Sequence, residues 1–278
     1  MDIPSSSENS SSETAVLSYS RWQDILRTWF WRYYDNLLKL TLYNLGWFLT
    51  CFGIGWFASF LGILGTAQQW NWPVIYLVYV AECAASLGWA LAIFKVVMGE
   101  AVSWPEILID LKRYFFKGLI SASISGLVLG LAVYNLRFYF SLRVSTHILI
   151  FILMGFVATV FIYFLMMTFY QWPILFFQNP ALPKLFYRSF IITLGTGPVS
   201  LLVLFISAFA VFFFVLQPFL WFFIGFVFLF TLYTVSIEKH FLRYKITYQD
   251  KPIADYLESA DAERQRGWRD IFKPWETR

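Results

Sequence analysis

Between Leu40 and Ser236 the chain alternates long apolar runs with short polar breaks. The runs fall at about 40–64, 74–98, 118–138, 148–177, 198–216 and 219–236, and charge is almost absent from them. A bilayer core about 30 Å thick needs roughly 20 apolar residues per helix. The pattern therefore predicts an all-α fold, a membrane bundle of six transmembrane helices. Three amphipathic stretches, at about 20–39, 103–117 and 181–195, each precede a pair of runs. In the first, Trp22, Ile25, Leu26, Trp29, Phe30, Tyr33, Leu37 and Leu38 recur at helical spacing, opposite Arg21, Asp24, Arg27, Arg32, Asp35 and Lys39. Helices of this kind lie in the headgroup plane. Ser20 with Gln23, and Ser103 with Glu106, fit capping boxes at two of the starts. The recurrence has a period of roughly 80 residues, but no residue-level identity joins the three units.

Composition agrees. Of 278 residues, 59% are hydrophobic and 22% aromatic, and the mean hydropathy is +0.62, outside the range of soluble domains. The Ser-rich leader, 1–17, is too polar to bury a core and is expected to be disordered. The membrane domain is expected to occupy 18–245 and a polar tail 246–278. Charge then orients the bundle. With both termini on one side, that side holds 19 of the 21 Lys and Arg residues, all but Arg137 and Arg143. The bias puts both termini in the cytoplasm, and the expected location is a bacterial inner membrane.

Polar residues inside the runs are few. Glu82 is the one acidic residue well inside a span, and a carboxylate in hydrocarbon is expensive unless paired, protonated or facing water. Two readings follow: an ion, proton or substrate contact, or a structural pairing with Arg137 or Asn135 near the same side. The structural one is preferred on depth. Thr41, Asn44, Thr50 and Gln171 read as isolated packing hydrogen bonds between helices. Ala122, Gly126 and Gly130 form a small-residue series on the third span, and Ala84 with Gly88 does likewise on the second. Such series let backbones approach, which predicts spans two and three at the centre of the bundle. Eleven phenylalanines between Phe205 and Phe230 point spans five and six toward lipid or a partner. Pro173 is expected to kink the fourth span.

Signatures of chemistry are scarce. Cys51 and Cys83 lie within apolar runs and read as reduced, packed thiols. His147 and His240 fall at opposite surfaces, which leaves no shared metal site or triad in one chain. No phosphate or dinucleotide loop is present, and the basic residues are spaced as surface anchors, not as a nucleic-acid patch. The expectation is a protein without catalytic residues, metal or cofactor. Its expected partners are membrane lipids and either another membrane protein or a second copy. A non-enzymatic accessory role is the leading reading. A small transporter or channel using Glu82 and Arg137 is the alternative.

Three short motifs carry a family resemblance. They are Asn44-Leu45-Gly46-Trp47, then Val97-Met98-Gly99-Glu100 with Phe115, Phe116 and Lys117, and Tyr170-Gln171-Trp172-Pro173 with Gly197-Pro198. Across roughly residues 20–240 the chain resembles the YesL-like bacterial integral membrane proteins. The resemblance implies six helices in the plasma membrane and a link to carbohydrate uptake. It implies no catalytic residues.

Overall fold

A computed structural model of the protein describes residues 22–60, 72–141 and 148–243. The leader, the tail beyond Arg243, and the loops carrying Gln68 and Gln69, and Arg143 and His147, lie outside the described residues. So do Ser20 and the aromatic residues of the tail. The described residues are 94% helical and contain no strand. Helix α1 spans Trp22–Asp35, α2 Leu37–Phe60, α3 Trp72–Val97 and α4 Trp104–Ser141. Helix α5 spans Ile148–Gln178, α6 Leu182–Gly195 and α7 Gly197–Leu216. One turn at Pro218–Leu220 and a π-helical segment at Trp221–Gly225 lead into α8, Phe226–Arg243. Six of these helices are long and apolar enough to cross a membrane, and the chain is a multi-pass membrane protein.

The junctions between amphipathic and apolar stretches differ from one another. Between α1 and α2 the chain turns at Asn36, whose Nδ2 donates to the Arg32 carbonyl at 3.0 Å. Between α6 and α7 the break falls at Thr196, whose N–H donates to the Ile192 carbonyl at 3.0 Å. Pro198 then opens the next helix, where a missing N–H does no harm. The middle junction does not exist. The stretch at 103–117, expected as a separate surface helix, is continuous with the third span in one helix of 38 residues. Nothing between Lys117 and Gly118 stops it, since a single helical Gly weakens but does not end a helix. At about 1.5 Å per residue it reaches roughly 57 Å, beyond the bilayer core. Its polar start is held to the end of α3 by an ion pair from Lys95 to Asp110. Pro173 likewise sits inside an unbroken α5.

Helix α5 ends at Asn179, which takes a left-handed φ of 44°, a conformation Asn tolerates. Lys117 Nζ donates there to the Asn179 carbonyl at 3.3 Å and side-chain oxygen at 2.8 Å. The cation thus closes a helix C-terminus, where the backbone dipole favours it. On the same face Arg32 of α1 pairs with Glu238 of α8, and its Nη1 also donates to the Val97 carbonyl at 3.3 Å. The beginning of the described chain and its end therefore meet.

The small-residue series placed the second and third spans at the centre of the bundle; the second belongs there, but the last span, not the third, is its most buried member. The last span is 61% buried, the second 39% and the third 17%. Helix α8 packs against α1, α2, α3 and α5. Thr231, Thr234 and Ser236 are buried, and the two threonines bond carbonyls of their own helix, which lets polar side chains face a packed interior. Trp29 Nε1 of α1 donates to Thr231 Oγ1 at 3.0 Å. Helix α8 also runs past the expected end of its span, and Glu238, Lys239 and His240 are buried. The phenylalanines divide accordingly. Phe205, Phe209, Phe212, Phe213 and Phe219 are exposed, whereas Phe214 and Phe230 are buried. Helix α7 is tied on by hydroxyls: Tyr170 donates to Ser200 at 3.1 Å and Tyr233 to Ser207 at 2.6 Å.

Candidate functional site

Along α3 the dense core runs from Leu87 to Met98. One turn earlier the packing opens into a cavity of about 890 Å³. Its walls follow helical spacing. Tyr79, Glu82, Cys83 and Ser86 come from one face of α3, and Phe48, Phe52, Gly55, Trp56 and Ser59 from one face of α2, beside Trp47 and Cys51. Helix α5 adds Thr168, Phe169, Gln171 and Trp172, the π-helical segment Trp221, and α8 Phe226, Leu229, Phe230 and Tyr233. Ala122 of α4 closes one side.

Most polar groups on this wall are satisfied. Trp47 Nε1 donates to Ser86 Oγ at 2.8 Å, and Cys51 Sγ lies 3.5 Å from the same oxygen. Tyr79 donates to the Ala122 carbonyl at 3.3 Å. Ser125 Oγ donates to Gln171 Oε1 at 3.0 Å. Two groups differ. Gln171 is 1% exposed and its Nε2 has no hydrogen-bond partner. Among the described residues the Glu82 carboxylate forms no ion pair or hydrogen bond and is the only charged group on the wall. It faces Gly55, where an added Cβ would sit 3.8 Å from Oε1. At about 1.5 Å per residue, Glu82 lies roughly 20 Å along α3 from Lys95 and roughly 14 Å from Pro73, which is mid-depth.

The expected partners of Glu82 are elsewhere. On α4 the level of Tyr79, one turn from Glu82 on the side away from Lys95, is marked by Ala122 and Gly126. Arg137 lies 11 residues beyond Gly126, about 17 Å further along the helix, and no side chain spans that distance. Arg137 is exposed, and so is Asn135, whose Nδ2 donates to the Leu131 carbonyl of its own helix at 2.8 Å. The small-residue series is realised in part. The Tyr79 ring occupies the space a Cβ on Gly126 would need, Ala122 is buried, and Gly88 lies against Leu111. Ala84 is half-buried on α3, and Gly130 has nothing within 4 Å of an added Cβ. Close approach occurs also at Gly118 against Leu87 and at Gly46 under the Trp89 ring.

Asn44 is the residue whose role the sequence conceals. Its Nδ2 donates to the Trp221 carbonyl at 3.0 Å and the Phe222 carbonyl at 2.7 Å, and its Oδ1 accepts from the Val227 N–H at 3.0 Å. A π-helical turn leaves backbone groups without their usual partners, and such turns gather at functional sites. One amide satisfies three of them and fixes Trp221 on the cavity wall. Gly225 completes the arrangement, because a Cβ there would come within 2.7 Å of the Trp221 ring. An amide in an apolar run was the available signal. Its partners lie some 180 residues away, beyond the reach of local pattern.

Both cysteines are free thiols. Among the described residues no three of His, Cys, Asp and Glu cluster as metal ligands. The arrangement is an aromatic chamber with one carboxylate and, buried in its wall, one amide donor without a partner among the described residues, suited to hold a small molecule with a large apolar surface and few polar contacts. No family model matches the chain, and no curated protein or solved structure matches it.

Proposed function

We propose that the protein is a small membrane carrier that takes a solute into the cavity at mid-depth, with Glu82 as its polar anchor. One observation carries this reading: a carboxylate without a partner among the described residues, on the wall of a cavity of about 890 Å³. Substrate sites of carriers lie near the midplane, and broken helices build them. The π-helical entry to α8 supplies such an irregularity here. The accessory reading rested on the scarcity of polar groups at that depth. The cavity weakens it by gathering Glu82, Gln171 and Ser86 on one wall. The lining offers little to a sugar, whose hydroxyls each need a donor or acceptor, so carbohydrate uptake through this cavity finds small support.

We further propose that the face holding Arg32, Lys95, Lys117 and Arg188 is cytoplasmic, in a bacterial inner membrane, with both ends of the chain on that side. The asymmetry of Lys and Arg supports it, and so does the Arg32–Glu238 pair that joins α1 to the end of α8. Kinship with the YesL-like proteins is part of the same proposal and rests on the three motifs. The exposed phenylalanines of α7 suit lipid or a second copy.

Cys51 and Cys83 test the carrier reading directly, because both line the cavity and the chain has no other cysteine. In oriented vesicles each single-cysteine variant is treated with a membrane-impermeant thiosulfonate from one side and then the other. A carrier exposes its cavity in turn to both sides, so labelling from each is expected. Absence of labelling from either side, with full labelling after denaturation, refutes the reading.

A further inference from the structure

The chemistry of the wall narrows the ligand, given the carrier reading on which this step rests. We infer that Glu82 binds an organic cation with an aromatic or otherwise apolar body, and that this cation and a proton compete for the carboxylate.

Charge is the first ground. Among the described residues no Lys or Arg lines the cavity, and Glu82 is the single formal charge on its wall. A carboxylate at mid-depth is stable when protonated or paired. The described residues provide no pair, and the inference assigns the compensating charge to a ligand. The rings of Trp47, Trp56, Tyr79, Phe169 and Trp172 on the wall are the second ground. Aromatic faces attract a cation and gain strength where water is scarce. The same rings repel an anion from their faces.

A bare metal cation is a poorer match. Hard cations take about six or more oxygen ligands, and here the Gln171 oxygen is already engaged by Ser125.

Exchange balances simply. The protonated carboxyl loses its proton to solvent as the cation arrives, the ion pair forms, and one proton leaves for each monovalent cation bound. The other titratable side chains on the wall are Cys51 from α2, Tyr79 and Cys83 from α3, and Tyr233 from α8. Helices α4 and α5 and the π-helical segment contribute none. Only Glu82 among them belongs to the class that ionises below neutral pH.

The test uses the full-length protein in detergent with tetraphenylphosphonium as probe. Equilibrium dialysis gives affinity, and a weakly buffered solution gives proton release. The expected result is saturable binding that releases one proton, with affinity rising about tenfold per pH unit while Glu82 remains protonated. Glu82→Gln should weaken binding at least about tenfold and abolish the release. Glu82→Asp should retain both, which separates charge from fold.

Equal binding by Glu82→Gln, or binding by the natural protein with no proton released, overturns the inference. So does tighter binding of tetraphenylborate, an anion of the same shape, while the carrier reading stands on its thiol labelling. Loss of that labelling removes the carrier reading whatever the probes do.

Discussion

Replacing Asn44 by Ala isolates the contact on which the cavity's geometry depends. The side chain makes three hydrogen bonds, at 3.0, 2.7 and 3.0 Å, to backbone groups of the last span. Interhelical hydrogen bonds in membranes average about 0.6 kcal/mol each, which sets a floor of roughly 2 kcal/mol. Leaving two carbonyls and an N–H without partners in an apolar interior raises the cost, at about 1 kcal/mol or more per group. The expected loss is about 2–4 kcal/mol, read from unfolding in mixed micelles of mild and denaturing detergent. Asn44→Asp is the sharper probe. It keeps an acceptor for Val227 but aims a carboxylate at two carbonyl oxygens, so it should cost at least as much as Asn44→Ala. The near-ultraviolet dichroism of the tryptophans should change in both, because release of the π-helical turn moves Trp221 off the wall and away from Trp47, whose ring centroid is 6.2 Å from it. Stability within about 0.5 kcal/mol of the natural protein in both variants would refute the assignment of Asn44 as the clamp.

Three further outcomes follow from contacts on the page. Arg32→Ala strands Glu238, whose side chain is 1% exposed, and should destabilise by about 3–5 kcal/mol in the same unfolding assay. The double variant Arg32→Met, Glu238→Leu should recover most of that loss. Gly126→Ala places a Cβ 2.9 Å from Tyr79 Cζ and should cost about 1–3 kcal/mol. Gly130→Ala meets nothing within 4 Å and should be neutral or gain up to about 1 kcal/mol from helix propensity; equal effects at the two glycines would contradict the packing described. Tyr33→Phe removes a buried hydroxyl that has no hydrogen-bond partner among the described residues and whose ionisation burial pushes well above the ordinary tyrosine range. It should leave stability unchanged or raise it by about 1 kcal/mol, and a loss of that size would reveal a bond to that oxygen.

Much of the fold is legible because the bilayer imposes lengths. Six apolar runs of sufficient extent become six helices, and of the two-sided pattern expected at 20–39 the part Trp22–Asp35 becomes α1 on the basic face, while Leu37–Lys39 join α2. The junctions are less legible because one residue decides each. Asn36 and Thr196 make breaks, whereas nothing in Phe115–Ile120 does. The centre of the bundle is hidden for another reason. Gly126 and Gly130 belong to one series, yet only Gly126 meets a neighbour, since the series shows where approach is permitted and not which helix arrives. The phenylalanines of α8 read as lipid-facing by their number, but buried threonines that bond their own carbonyls turn that helix inward. The depth of Glu82 was readable. That no described residue pairs with it was not, because Arg137 is near it in topology yet about 17 Å beyond Gly126 on α4.

An accidental void between helices closes when they slide together, because interiors pack to crystal-like density. This cavity is held open at separate points. Asn44 ties α2 to the start of the last span, Trp47 ties α2 to α3 through Ser86, Tyr79 ties α3 to α4, and Ser125 ties α4 to Gln171 of α5. Tyr233 holds α8 to α7 through Ser207. In lipid there is little hydrophobic drive between apolar helices, so such bonds and close contacts carry the association. Five of them ring a space that contains a carboxylate facing a glycine, with no basic residue among the described ones to answer it. A packing fault would relieve that charge by collapse or by a neighbouring Arg. The bundle instead keeps its walls apart around Glu82, which is the behaviour expected of a site whose missing partner arrives from solution.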